Sequence, residues 1–164
     1  MLSCTILEML LENQIDELVE LCRKMPIEEQ TVVLKKLEEK LATTTGACVR
    51  NTISLVLSKM HYNEAVNTIV QLINNAKNKN CRGTLVYALE NLECQSYIKD
   101  LLYLLRDGNY ETQYNTYRLL EKNIPKFSQA ERGECLAKIE SLFVGCTNPD
   151  TIEVLNDSKN LFYI

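Results

Sequence analysis

Seven cysteines and a single histidine have the most chemistry to offer in this 164-residue chain. Thiolates and imidazoles ligate metals and act as nucleophiles or bases. Their spacing points elsewhere. The cysteine count is odd and no C-x-x-C pair occurs, so the ligand spacing of a zinc site is missing. Cys22 follows Leu18 and Leu21 at helical steps, Cys135 lies four residues before Ile139, and Cys81 takes an apolar slot. Most of the cysteines therefore read as small buried apolar residues, kept as thiols in a reducing cytoplasm. His61 falls in a turn between two predicted helices, with no second histidine and no nearby nucleophile. The five glycines stand singly and build no phosphate cradle. The paired acids Glu28-Glu29 and Glu38-Glu39 flank Lys35, Lys36 and Lys40, as on a solvated helix surface. The expectation is a protein without catalytic residues, cofactor or metal.

Binding chemistry is better represented. Five of the eight tyrosines (Tyr97, Tyr103, Tyr110, Tyr114 and Tyr117) fall within 21 residues. Tyrosine joins a rigid apolar ring to a polar tip and is enriched in interface hot spots. Tyr97 also fits a core position. The formal net charge of −4 gives no support to a nucleic-acid binder. Residues 1–22 hold Glu8, Glu12, Asp16, Glu17 and Glu20 and no lysine or arginine. They form either a solvated helix face or an acidic contact surface.

The elements that position these groups are helices. Val49, Ile53, Val56, Leu57 and Met60 recur at three- and four-residue steps, as do Val66, Ile69, Val70 and Ile73. The pattern predicts ten helices, at about 2–12, 14–25, 26–42, 46–60, 62–76, 80–93, 95–106, 109–123, 128–143 and 148–157. Ten helices make five antiparallel pairs. Pro26 suits a helix start. Ser128 to Glu131 has the spacing of a capping box, and Asn148-Pro149 opens another helix. Asp107-Gly108-Asn109 reads as a turn in which glycine takes positive φ. No window is apolar enough to span a membrane, and the acidic N-terminus is unlike a secretory signal. One domain, 1–164, located in the cytoplasm, is expected.

The chain also repeats itself. Val49–Ile73 aligns without a gap on Cys81–Leu105, 32 positions later, pairing Arg50 with Arg82, Thr52 with Thr84, Leu57 with Leu89 and Leu72 with Leu104. A weaker third copy places Leu119 and Leu120 on Ala88 and Leu89. One helix pair cannot bury its apolar face alone, so similar pairs stack and share a core. The expected fold is all-α: a short right-handed α-solenoid of about five antiparallel helix pairs, with the clearest repeats at about 46–123 and the ends as caps.

The stretch VRNTISLVLSKMHYNEAVNTIVQLI resembles the short HEAT-like repeat of the phycobilisome-lyase type. Val49-Arg50, Leu57 and Glu64-Ala65-Val66 match its V-R, its leucine and its E-A-V, and Arg82, Ala88 and Leu89 match in the second copy. Ile53 and Val56 replace its small alanines, and Gln113 stands where a third arginine would be. The resemblance implies that helices 46–60, 80–93 and 109–123 line a concave face. Their outward residues would be Arg50, Asn51, Ser54, Leu55 and Ser58, then Arg82, Val86, Tyr87 and Glu90, then Gln113, Tyr114, Tyr117, Arg118 and Glu121. The repeat arginines would tie neighbouring turns together or meet a partner.

The function implied is binding. Small helical-repeat proteins of this kind occur among bacterial immunity proteins, which bind and occlude a toxin. An acidic inhibitor suits a basic nuclease toxin through electrostatic steering. The candidate contact residues are Tyr87, Tyr114, Tyr117, Glu90, Glu121, Arg118 and Arg82. Two alternatives stand beside this one. A HEAT-like DNA-base glycosylase or other nucleic-acid-acting solenoid would need a basic groove, to which Arg50, Arg82 and Arg118 contribute and which Glu90 and Glu121 oppose. A chaperone-like, lyase-like or scaffold protein is the other.

Overall fold

The computed structural model describes residues 2–163, which are helical with no strand among them. Helix α1 (Cys4–Leu11) starts at Ser3, whose hydroxyl accepts the Ile6 N–H. Helices α2 (Ile15–Lys24) and α3 (Ile27–Thr43) follow, with Pro26 one position outside α3. Helix α4 (Ala47–Lys59) is followed by His61, whose φ of 52° turns the chain toward α5 (Val66–Asn74). Then come α6 (Gly83–Ala88), α7 (Ile98–Leu101), α8 (Leu104–Asp107) and α9 (Tyr110–Asn123). Helices α10 (Gln129–Leu142) and α11 (Pro149–Asn160) complete the chain. The Ser128–Glu131 capping box is formed, and Asn148 caps α11 by accepting the Thr151 N–H.

Two predicted helices are shorter than their periodicity implied. Helix α6 begins at Gly83, because the chain before it closes around Arg50. Asn75 Oδ1 accepts the Lys77 N–H, and Asn78 donates to the Leu72 carbonyl while accepting from Arg50. The predicted helix 95–106 breaks between α7 and α8, where hydrogen bonds tighten to three-residue steps, from Leu102 to Lys99 and from Leu105 to Leu102. Gly108 corrects a second expectation. Its φ is −81°, so no left-handed turn requires it. A Cβ there would come within 2.6 Å of the Leu104 carbonyl oxygen and 2.9 Å of Thr112. Glycine allows α8 to pass directly into α9.

The packing follows the sequence offset. Helix α2 packs on α4, α4 on α6, α6 on α9 and α9 on α11, while α3, α8 and α10 lie against α4, α9 and α11 respectively. One apolar cluster runs from Ile6 to Leu155. Leu57 and Leu89, the paired leucines of the two copies, are both fully buried.

The cysteines divide between core and surface. Cys22, Cys94 and Cys135 are buried, Cys81 and Cys146 are half-buried, and Cys4 and Cys48 are exposed. Fewer of them are core residues than their spacing implied, because Cys4 and Cys48 lie in the opening turns of α1 and α4, on the solvent side. Burial pushes the Cys94 and Cys135 thiols up to about 11. The unfolded chain therefore surrenders these protons first, from its ordinary value of 9.0. Stability is full below that value and declines as pH rises toward 11. With a thiol reagent at neutral pH, Cys4 and Cys48 should react quickly, and Cys22, Cys94 and Cys135 only on unfolding. The denaturant midpoint should fall across the alkaline window. Seven fast native thiols would contradict this assignment.

Candidate functional site

Helix α4 is covered from several sides, by α1, α2, α3 and α6. A helix so enclosed buries more of its circumference than the single apolar stripe read from sequence. This explains the main correction to the predicted outward face. Arg50, Ser54 and Ser58 of α4 are buried, and so are Arg82 and Val86, where α6 lies between α4 and α9, and Gln113, where α9 meets α8 and α11.

Arg50 is 3% exposed. It donates to Asn78 Oδ1 at 2.5 Å, to the Cys81 carbonyl at 3.2 Å and to Asn51 Oδ1 at 3.3 Å. It is a tie between one turn and the next. Arg82, offered by the sequence as a contact residue, lies with its guanidinium 5.9 Å from the centre of the Tyr103 ring. The Tyr103 hydroxyl in turn donates to Asn74 Oδ1 at 2.8 Å. Gln113 donates to the Leu105 carbonyl at 3.0 Å and to Thr151 Oγ1 at 3.2 Å. Asn115 donates to the Gly83 carbonyl at 3.0 Å. His61 is also structural, its Nδ1 lying 2.9 Å from the Asn91 carbonyl oxygen.

What remains on the surface is aromatic and acidic. Tyr87 of α6 is 47% exposed and Tyr114 of α9 is 49% exposed. Tyr117 is half-buried against the core. Its phenol is pushed up by burial, and further by the carboxylates of Glu121 and Asp157. Arg118 and Glu121 are exposed. Glu90 is not free to steer a partner. Its side chain is only 9% exposed and pairs with Arg118 at 3.4 Å. Lys122 reaches the same turn and donates to the Glu90 carbonyl. Both α9 cations thus bend toward the preceding turn. Tyr97, expected to have a packing role, does lie half-buried against the core.

Between α9 and α11 lies a groove of about 470 Å³. Tyr110, Gln113, Tyr114 and Tyr117 form its α9 side; Asp150, Glu153, Val154 and Asp157 form its α11 side. The Tyr110 and Tyr114 rings stack with centroids 6.3 Å apart and planes 12° from parallel. The α11 residues were missed by sequence reasoning. Their signal was present, because positions 150, 153 and 157 fall on one face of a helix starting at Pro149.

The N-terminal acidic run is partly neutralised. Asp16 pairs with Lys59 of α4 at 2.5 Å, and Glu20 pairs with Arg23 at 3.1 Å. Among the described residues, no group of three or more His, Cys, Asp or Glu is placed to hold a metal ion. Among the described residues, no helix is long and apolar enough to cross a membrane. Comparison with protein-family models, curated proteins and solved structures returned no match to the chain.

Proposed function

We propose that this protein is a non-catalytic protein-binding module, a short right-handed HEAT-like α-solenoid of antiparallel helix pairs. We read it as a cytoplasmic immunity protein that covers the working surface of a basic toxin domain, such as a nuclease. The observation that carries this reading is the exposure of Tyr87 and Tyr114 on α6 and α9, helices packed side by side. Large amphipathic rings left in solvent suit a surface that a partner will desolvate. Tyr117 and the carboxylate of Glu121 adjoin them on α9. Arg118, tied to Glu90, acts as part of this surface and not as a free cation. The burial of Arg50 and Arg82 weighs against a DNA-base glycosylase, which would need such cations in an open groove.

The test is co-expression with the products of the neighbouring genes, assayed for toxicity, together with binding kinetics for the toxic partner. Tyr87→Ala and Tyr114→Ala should each speed dissociation by roughly 30-fold, the kinetic equivalent of a ~2 kcal/mol hot spot. Toxicity should return although the inhibitor stays folded. Glu121→Lys should mainly slow association, with an effect that shrinks as salt rises. Protection indifferent to the tyrosines would overturn the reading. Tight binding of a short DNA duplex that weakens steeply with salt would favour the glycosylase.

A further inference from the structure

We infer that the groove between α9 and α11 seats an arginine side chain of the basic partner, an inference that rests on the protein-binding reading above. The walls differ in chemistry. On α9, Tyr110 and Tyr114 present a near-parallel aromatic pair, with Tyr117 beside them. On α11, Asp150, Glu153 and Asp157 line the opposite side. Among the described residues, no lysine or arginine forms an ion pair with these three carboxylates.

The nearby cations already have partners other than the α11 carboxylates. Arg118 interacts with the Tyr114 hydroxyl at the α9 wall and pairs with Glu90, Lys122 donates to the Glu90 carbonyl, and Lys159 of α11 pairs with Glu140 at 2.8 Å. Like charges three and four residues apart on one helix repel each other. A cation entering the groove relieves that repulsion. A guanidinium fits both walls: its flat face lies on a tyrosine ring, and its fork of donors meets carboxylates edge-on. Lysine carries a compact, strongly hydrated charge that meets the carboxylates but lacks the flat face that stacks on a ring. A quaternary ammonium matches the aromatic wall but donates no hydrogen bond to the acidic one.

The experiment is an NMR titration of the full chain with an end-capped peptide, Gly-Ser-Gly-Arg-Gly-Ser-Gly. Versions carrying lysine or citrulline in place of arginine, and free choline, serve as the other probes. Citrulline keeps the shape of arginine and removes its charge. The arginine peptide should give saturable shifts at Tyr114, Tyr117 and the amides of residues 150–157. Its affinity should exceed that of the citrulline peptide by at least tenfold and that of the lysine peptide by severalfold. Asp150→Asn/Glu153→Gln/Asp157→Asn protein, checked for native circular dichroism, should lose the shifts. Equal binding of citrulline, shifts confined to another face, no saturable shift, or displacement of arginine by choline would each overturn the assignment. In the toxin assay the two proposals separate. A triple variant that protects fully, beside tyrosine variants that do not, overturns the groove alone. Protection that survives both sets of changes overturns the binding face itself.

Discussion

Leu89→Ala should lower the unfolding free energy by ~2–5 kcal/mol, seen as a large drop in denaturant midpoint with an unchanged slope. Leu89 is fully buried where α6 gives way to a 3-10 turn, between α4 and α9. Truncation removes three heavy atoms whose neighbours belong to separate helices, so the walls cannot collapse together to refill the space. Leu57, its counterpart one repeat earlier, is also fully buried and should respond alike. Leu55 makes the useful contrast, being only half-buried on the same helix as Leu57. Its truncation should cost much less. Wild-type unfolding by Leu89→Ala protein would show that the repeat register is wrong.

Arg50→Ala should cost ~3 kcal/mol, more than any other arginine change in the chain. The reason is the set of acceptors left behind. Removing the guanidinium leaves the buried Asn78 Oδ1 and the part-buried Cys81 carbonyl without this donor. Buried acceptors without donors each cost about 1–3 kcal/mol, and hydrogen bonds to a charged donor are among the stronger ones. Arg50→Lys should recover part of the loss, because an ammonium can reach one acceptor but cannot span both. Arg82→Met should be milder. Arg82 contributes a ring contact with Tyr103. Nε has no hydrogen-bond partner in either arginine, whereas Arg50 donates three hydrogen bonds through its two terminal nitrogens. Urea unfolding of the three variants ranks them, and a milder effect for Arg50→Ala than for Arg82→Met would refute the tie.

The sequence was most informative where one residue decides a local outcome. Ser128 and Asn148 have side chains that cap only a helix start, and both do so. Leu57 and Leu89 lie at the centre of an apolar stripe, where any packing arrangement buries them. The edges of the stripes were less legible. Ser54, Ser58 and Val86 are buried because neighbours approach from additional directions, and the sequence of a helix does not encode its neighbours. Gly108 was legible as special but for a different reason, since crowding by Leu104 and Thr112 is a property of the folded chain. The same limit hid the groove. Asp150, Glu153 and Asp157 have the pattern of any solvated helix face. Only the packing of α11 beside α9 brings them opposite tyrosines.

The ties across the chain have a consequence for how this protein can change. Arg50 reaches Asn78, Asn115 reaches Gly83 and Gln113 reaches Thr151, spans of 28, 32 and 38 residues. Each link joins one turn to the next. Substitutions at distant positions that share no partner act nearly independently. Helix α11 stands at the far end of this series, with α8, α9 and α10 as its main contacts. New side chains there can reshape the tyrosine groove while α1 to α4 keep their packing. Under the binding reading proposed above, α11 is where contact residues can change while the fold that carries them stays intact.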